Sequence, residues 1–155
     1  MHTAGRAETE SIGLVLAGGR ASRFGADKLA IELAGRPILH HALMAVAGVT
    51  ERVLLAIAAG ARPPALPDLG EAIQVIHDRS TDLGPLAGLA AALDALAPDG
   101  ADRRLLVVPG DAPSLRAPLL RGLLHELDYA DAAVLADGDD WRPLPFAVRT
   151  GAAGG

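Results

Sequence analysis

Short apolar runs that suit buried strands alternate with helix-like segments along most of the chain, and this alternation constrains the fold more than any other feature. Strands are read over Ser11 to Leu16, Arg52 to Ala58, Ile73 to Ile76, Arg104 to Val108, Ala132 to Leu135 and Leu144 to Val148. Several of these runs are continuously apolar rather than alternating. A strand buried on both faces, as in a parallel sheet, has that pattern. Helices are read over Pro37 to Ala47, Pro85 to Leu96 and Leu115 to Leu127, and the first two begin with a proline, which suits a first helical position. The pattern predicts an α/β fold: three layers, a mostly parallel sheet and helices on both faces. Ligands of such sheets bind beyond the carboxyl ends of the strands. The loops 17–28, 78–84 and 109–113 each follow a strand, so they should meet on one edge.

Composition sets bounds. The chain has 155 residues, one domain by length, with half of them apolar and only 3% aromatic, so the core must be aliphatic. The net charge of −5 argues against general nucleic-acid binding. There is no cysteine, which removes thiol chemistry and cysteine zinc sites. Residues 1–10 read as a disordered tail without the apolar core of a secretory signal, 11–150 as the single domain and 151–155 as a flexible end. No apolar run is long enough for a membrane span, and a cytoplasmic protein is expected.

The loop after the first strand carries the strongest chemical signal. It runs Leu16-Ala-Gly-Gly-Arg-Ala-Ser-Arg-Phe-Gly-Ala-Asp-Lys28, and Lys28 is the only lysine among 14 basic side chains. Glycines let backbone approach a ligand, and successive N–H groups form an anion-binding concavity. Arg20, Arg23 and Lys28 add the charge a polyphosphate needs. The spacing fits neither a Walker A loop nor a G-x-G-x-x-G dinucleotide fingerprint. A plain strand-to-helix turn with solvated charges would not need three glycines and three cations together. Asp111, at the end of the apolar strand Leu105 to Val108, is placed to ligate Mg²⁺; the competing role is a cap for the following helix, for which Ser114 is better placed. Asp78 ends the third strand and is either a ligand contact or a turn residue. His40 and His41 read as core-edge or surface histidines, and Asp139 and Asp140 as solvated loop charges.

The motif L-A-G-G-x-x-x-R-[MF]-G-x-D-K resembles that of the molybdenum cofactor guanylyltransferase family. Three further matches follow in order: Val75-Ile-His-Asp78 with Gly84-Pro-Leu-Ala-Gly88, then Val108-Pro-Gly-Asp-Ala-Pro113, then Arg142-Pro-Leu-Pro-Phe-Ala-Val-Arg149. The resemblance implies a Rossmann-like nucleotidyltransferase fold and transfer of GMP from GTP to the molybdenum–molybdopterin cofactor with release of pyrophosphate. It implies Arg23, Lys28 and Asp111 as catalytic residues, with Asp111 on Mg²⁺. It implies Leu16, Ala17, Gly18, Gly19, Lys28, Asp78, Gly84 and Asp111 as substrate-binding residues. Asp78 would accept from the N1–H and N2–H₂ edge of guanine or from ribose hydroxyls. Arg142 would lie near the second substrate, and molybdoenzymes or other proteins of the cofactor pathway would be partners. Leu16-Ala-Gly-Gly19 favours the guanine branch over a cytidylyltransferase for the same cofactor.

Two departures from the resembling family stand out. Ala56 aligns with a strand-end asparagine. Family members also continue for several dozen residues beyond the position of Arg149, so the chain reads as C-terminally short. That leads to an expectation of GTP binding that survives better than transfer, of exposed apolar sheet surface and of a homo-oligomer. A non-catalytic nucleotide-binding protein is the alternative of another class.

Overall fold

A computed structural model describes residues 9–18, 28–79 and 84–153. Its strands are β1 (Ser11–Leu16), β2 (Glu32–Leu33), β3 (Arg36–Pro37), β4 (Arg52–Ile57), β5 (Ile73–His77), β6 (Arg104–Pro109), β7 (Ala132–Asp137) and β8 (Asp140–Arg149). Its α-helices are α1 (Ile38–Ala47), α2 (Pro85–Leu96), α3 (Ala117–Glu126) and α4 (Thr150–Ala153). Six strands form the main sheet in the order β5-β4-β1-β6-β8-β7, while β2 and β3 make a separate small hairpin. β5, β4, β1 and β6 pair in parallel. β8 runs antiparallel to both of its neighbours, so the sheet is mostly parallel, as expected.

Alternation along each strand divides the core into two layers. Val15, Val53, Leu55, Leu106 and Val108 face α1 and α3, meeting Leu39, Leu43, Val46, Leu120 and Leu124. Ile12, Leu14, Leu54, Ala56, Leu105 and Val107 face the other way, toward Ala92 and Leu96 of α2. Gly13 sits under α1, where a Cβ would come within 1.9 Å of Val46 Cγ1, so the helix can lie close only over a glycine.

Local chemistry explains where boundaries depart from the sequence reading. Pro85 does open α2, but Pro37 is the residue before α1 rather than its first. α3 starts at Ala117 after an extended Arg116, and no side chain caps it, so neither Ser114 nor Asp111 performs that role. Asp139 and Asp140 read from sequence as solvated loop charges before a strand at Leu144. Instead Asp137 pairs with Asp140 across a tight turn at Gly138 (φ +65°), and β8 begins at Asp140 rather than Leu144. The turn is a two-residue hairpin loop, Gly138-Asp139, with glycine at the first position where a type II′ turn needs positive φ. Glu10, placed in the tail by sequence, is held by Arg52 and Arg103. Residues 150–153 form a short helix, with the Gly151 N–H donating to Asp102 Oδ1 at 3.0 Å. Among the described residues, no helix is long and apolar enough to cross a membrane.

Candidate functional site

Parallel order brings the carboxyl ends of β5, β4, β1 and β6 to one edge, and the hydrogen-bond ladder continues past each end. The Ala17 N–H donates to Ala56 O at 2.8 Å, the Gly110 N–H to Leu16 O at 2.9 Å and the Asp78 N–H to Ile57 O at 2.8 Å. Leu16, Ala17, Asp78 and Gly110 are therefore fixed in one backbone framework. Of the sequence-derived candidates, the structure gathers Leu16, Ala17, Gly18, Asp78, Gly84 and Asp111 on this edge, with Lys28 returning to it. Gly19 and Arg23 lie outside the described residues.

Gly18 shows why the loop must begin with glycine. A Cβ there would lie 2.4 Å from Asp78 Oδ2 and 3.0 Å from the Ala58 nitrogen. On its other side Asp78 faces Gly88 of α2, where a Cβ would meet Leu16 Cδ2 at 2.5 Å and Asp78 Oδ1 at 3.5 Å. The carboxylate is thus enclosed by two bare backbone segments and is only 6% exposed. Its Oδ1 accepts no hydrogen bond from a described residue. Burial pushes the carboxyl above its ordinary value, with His77 pulling weakly in the opposite sense. Gly84 precedes α2 at φ +55°, ψ −135°, a conformation that side chains disfavour, and leaves the first N–H groups of α2 without a side-chain cap.

Lys28 and Asp111 contrast with Asp78. Both are exposed, and neither pairs with a described residue. They are nonetheless held near each other by their neighbours. Leu29 packs into the α1-side core, and a Cβ on Gly110 would lie 3.4 Å from Leu29 Cδ2. The residue after Lys28 therefore covers the residue before Asp111. Nothing in the sequence pattern marked Leu29 for this role. Ala56, the aligned position of the family asparagine, is 1% exposed and packs against Gly88, so its side chain turns into the core and not onto the edge.

Beside Ala17, on the α1 side, a cavity of about 190 Å³ opens between α1 and the segment 58–65. Its walls are mostly aliphatic, with His40 and Arg62 as the polar members. Two histidines pin that segment: His40 Nε2 lies 2.8 Å from Ala65 O and His77 Nε2 3.1 Å from Ala61 O. His41 contacts Leu33 O at 2.6 Å. These are structural contacts, in keeping with the core-edge reading of His40 and His41. Arg142 is paired with Asp137 at 3.0 Å on the β7–β8 hairpin. Among the described residues, no three His, Asp or Glu side chains cluster as a metal cage.

The profile of the MobA-like NTP transferase domain matches residues 13–153. A molybdenum cofactor guanylyltransferase of Shewanella sediminis is 36% identical over 140 residues, 88% of this chain and 67% of that relative. One of Xanthomonas euvesicatoria is 43% identical over 114 residues, 72% of this chain and 52% of that relative. The chain spans from about half to about two thirds of the length of these curated relatives. The crystal structure of Rv0371c from Mycobacterium tuberculosis superposes with a TM-score of 0.72 at 24% identity, covering 94% of this chain and 74% of that one. The molybdopterin-guanine dinucleotide biosynthesis protein A of Archaeoglobus fulgidus gives 0.62 at 22% identity, covering 92% and 71%. At such identities the structural likeness establishes the fold.

Proposed function

Because the chain belongs to the MobA-like NTP transferase family, we propose that it transfers GMP from GTP to the molybdenum–molybdopterin cofactor, releasing pyrophosphate. The observation that carries the reading is the convergence of Gly18, Asp78, Gly84 and Asp111 on one sheet edge, in a chain whose curated relatives bear that activity in their names. The acceptor phosphate oxygen attacks the α-phosphorus of GTP in line, and pyrophosphate leaves. Such transfers depend mainly on positioning and charge neutralisation.

The roles divide along the edge. Backbone N–H groups of Ala17 to Gly19, with Arg23 and Lys28, hold the leaving pyrophosphate. The Asp78 carboxylate takes a donor of the base or ribose, beside the Gly84 turn. Asp111 is the carboxylate for a divalent cation, Mg²⁺ in our reading. A lone exposed carboxylate beside a phosphate loop fits a hard cation that takes its other ligands from phosphate and water. That ion supplies Lewis-acid neutralisation of phosphate charge. A structural neighbour crystallised as a manganese complex accords with a divalent requirement. We place the reaction in the cytoplasm.

The test is pyrophosphate release by the purified chain with GTP or CTP, with and without molybdenum cofactor. Cofactor-dependent release from GTP, exceeding that from CTP, is expected. Equal or faster release from CTP would overturn the guanine assignment, and no cofactor-dependent release from either nucleotide would overturn the transferase reading.

A further inference from the structure

Lys28 is tied to the rest of the molecule in two separate ways. One tie is backbone. The Ile31 N–H donates to Lys28 O at 3.2 Å, and the Ile38 N–H donates to Ile31 O at 2.9 Å, which fastens Lys28 to the start of α1. The other is a side chain. Leu29 is half-buried between the exposed Lys28 and Ala30 and packs into the α1-side core. Its Cδ2 lies over the buried Gly110, the residue before Asp111.

Gly110 is pressed from several directions. A Cβ there would lie 3.0 Å from Leu16 O, 3.2 Å from Leu39 Cδ1 and 3.4 Å from Leu29 Cδ2. Leu16 and Leu39 are held by β1 and α1, and Leu39 is 2% exposed. Leu29 differs from them. It also lines the cavity of about 190 Å³ beside Ala17, so one side of it meets the Gly110 backbone and another meets open volume. Interiors pack closely, so a leucine left beside open volume is placed by its contact with Gly110 rather than by the need to fill space. The backbone tie sets Lys28 against α1, and the Leu29 contact sets it against the Asp111 turn.

We propose that Leu29 is a positioning residue, which holds the Lys28 ammonium at the spacing from the Asp111 carboxylate that a metal-bound triphosphate requires. The proposal rests on the nucleotide reading above. Without a divalent ion the phosphates need only follow Lys28, and a shifted Lys28 still binds them. With the ion on Asp111, the same phosphates must meet both groups at once, and the spacing decides whether they can. Leu29 therefore acts on the cooperation between nucleotide and metal, not on either alone.

The test is calorimetric titration of the full chain with GTP, with and without Mg²⁺. In the unaltered chain Mg²⁺ should tighten GTP binding by about tenfold or more, an ordinary coupling between two ligands. Leu29→Ala removes the methyls that lie over Gly110. It should keep the magnesium-free affinity within about threefold yet lose most of the magnesium gain, since a displacement of about 1 Å is enough to misplace a group. Leu29→Met, of similar length and volume, should keep the gain. Leu29→Val, which shortens the side chain, should lose part of it and stands in if Leu29→Ala does not fold. In a Lys28→Ala background, adding Leu29→Ala should lower the gain no further, because its effect runs through Lys28. A folded Leu29→Ala with the full gain, an equal loss with and without Mg²⁺, or a further loss in the double variant would overturn the proposal and leave the nucleotide reading standing. No GTP binding, or no magnesium gain, in the unaltered chain would overturn that reading and the proposal with it.

Discussion

The two ends of the parallel strands use charge in opposite ways. At the amino edge, side chains pair with each other. Glu10 spans Arg52 at 3.0 Å and Arg103 at 2.6 Å, and Arg103 also grips Asp99. Arg104 meets Asp128, and Arg149 holds Asp102 at 2.6 Å. At the carboxyl edge, Lys28 and Asp111 have no described partner, and one buried oxygen of Asp78 accepts no hydrogen bond from a described residue. One edge satisfies its charges internally, and the other holds charges that a ligand can satisfy. Changes at the amino edge should therefore alter stability and leave nucleotide affinity alone. Changes to the exposed Lys28 and Asp111 of the carboxyl edge should do the reverse.

The largest effect is expected for Asp111→Asn. A lost metal carboxylate removes several kcal/mol of transition-state stabilisation, at least about 10²-fold in rate. Because no side chain caps α3, the melting temperature should stay unchanged. Turnover measured against Mg²⁺ concentration checks this; an unfolded variant, or one with full metal response, would break the contrast. Lys28→Ala comes next. Losing a charge-assisted hydrogen bond to phosphate costs about 1.5–3 kcal/mol, roughly 10- to 150-fold in GTP affinity or turnover. A folded variant with unaltered GTP affinity and rate would remove Lys28 from the site.

Arg103→Ala probes the amino edge. Its guanidinium side chain is 8% exposed and bonds both Glu10 and Asp99. Removal should cost about 2–3 kcal/mol of stability in urea unfolding, since bonds to charged groups are lost. Calorimetric GTP binding by the folded fraction should match the unaltered chain. A marked affinity loss would show that the two edges are coupled through β1.

The same contrast explains what could be read in the sequence. The buried strands and α2 were legible because continuous apolar runs and Pro85 are local signals. The convergence of Leu16, Asp78 and Asp111 on one edge followed from strand–helix alternation alone. The Glu10–Arg103 pair was not legible: the residues lie 93 positions apart, and charged side chains next to strands read as solvated. The start of β8 was missed because Asp140, Trp141 and Arg142 are exposed, and an exposed strand needs no apolar run. The enclosure of Asp78 was hidden for another reason. It depends on Gly18 and Gly88 lacking side chains, and only tertiary distances reveal what a Cβ would strike.

The smallest expected effect tests the comparison through pH. Hydrogen bonding from Arg103 lowers the carboxyl pKa of Glu10 and Asp99, so the folded chain binds their protons less readily than the unfolded one. Their stabilisation is present above the unfolded carboxylate range and is lost as pH falls through the folded values. Burial raises that of Asp78. Between its unfolded and folded values the folded chain holds the extra proton, so its contribution to stability falls as pH rises through that window. The ionised carboxylate then remains a cost at neutral pH in the absence of ligand. Asp78→Asn should therefore make the ligand-free protein slightly more stable at neutral pH, with the gain shrinking as pH drops below the usual carboxylate range. GTP affinity should fall in the same variant. Urea unfolding at neutral and acid pH, paired with GTP titration, measures both. A variant less stable than the unaltered chain at neutral pH would mean that Asp78 bonds structurally, and the carboxyl edge would then resemble the amino edge.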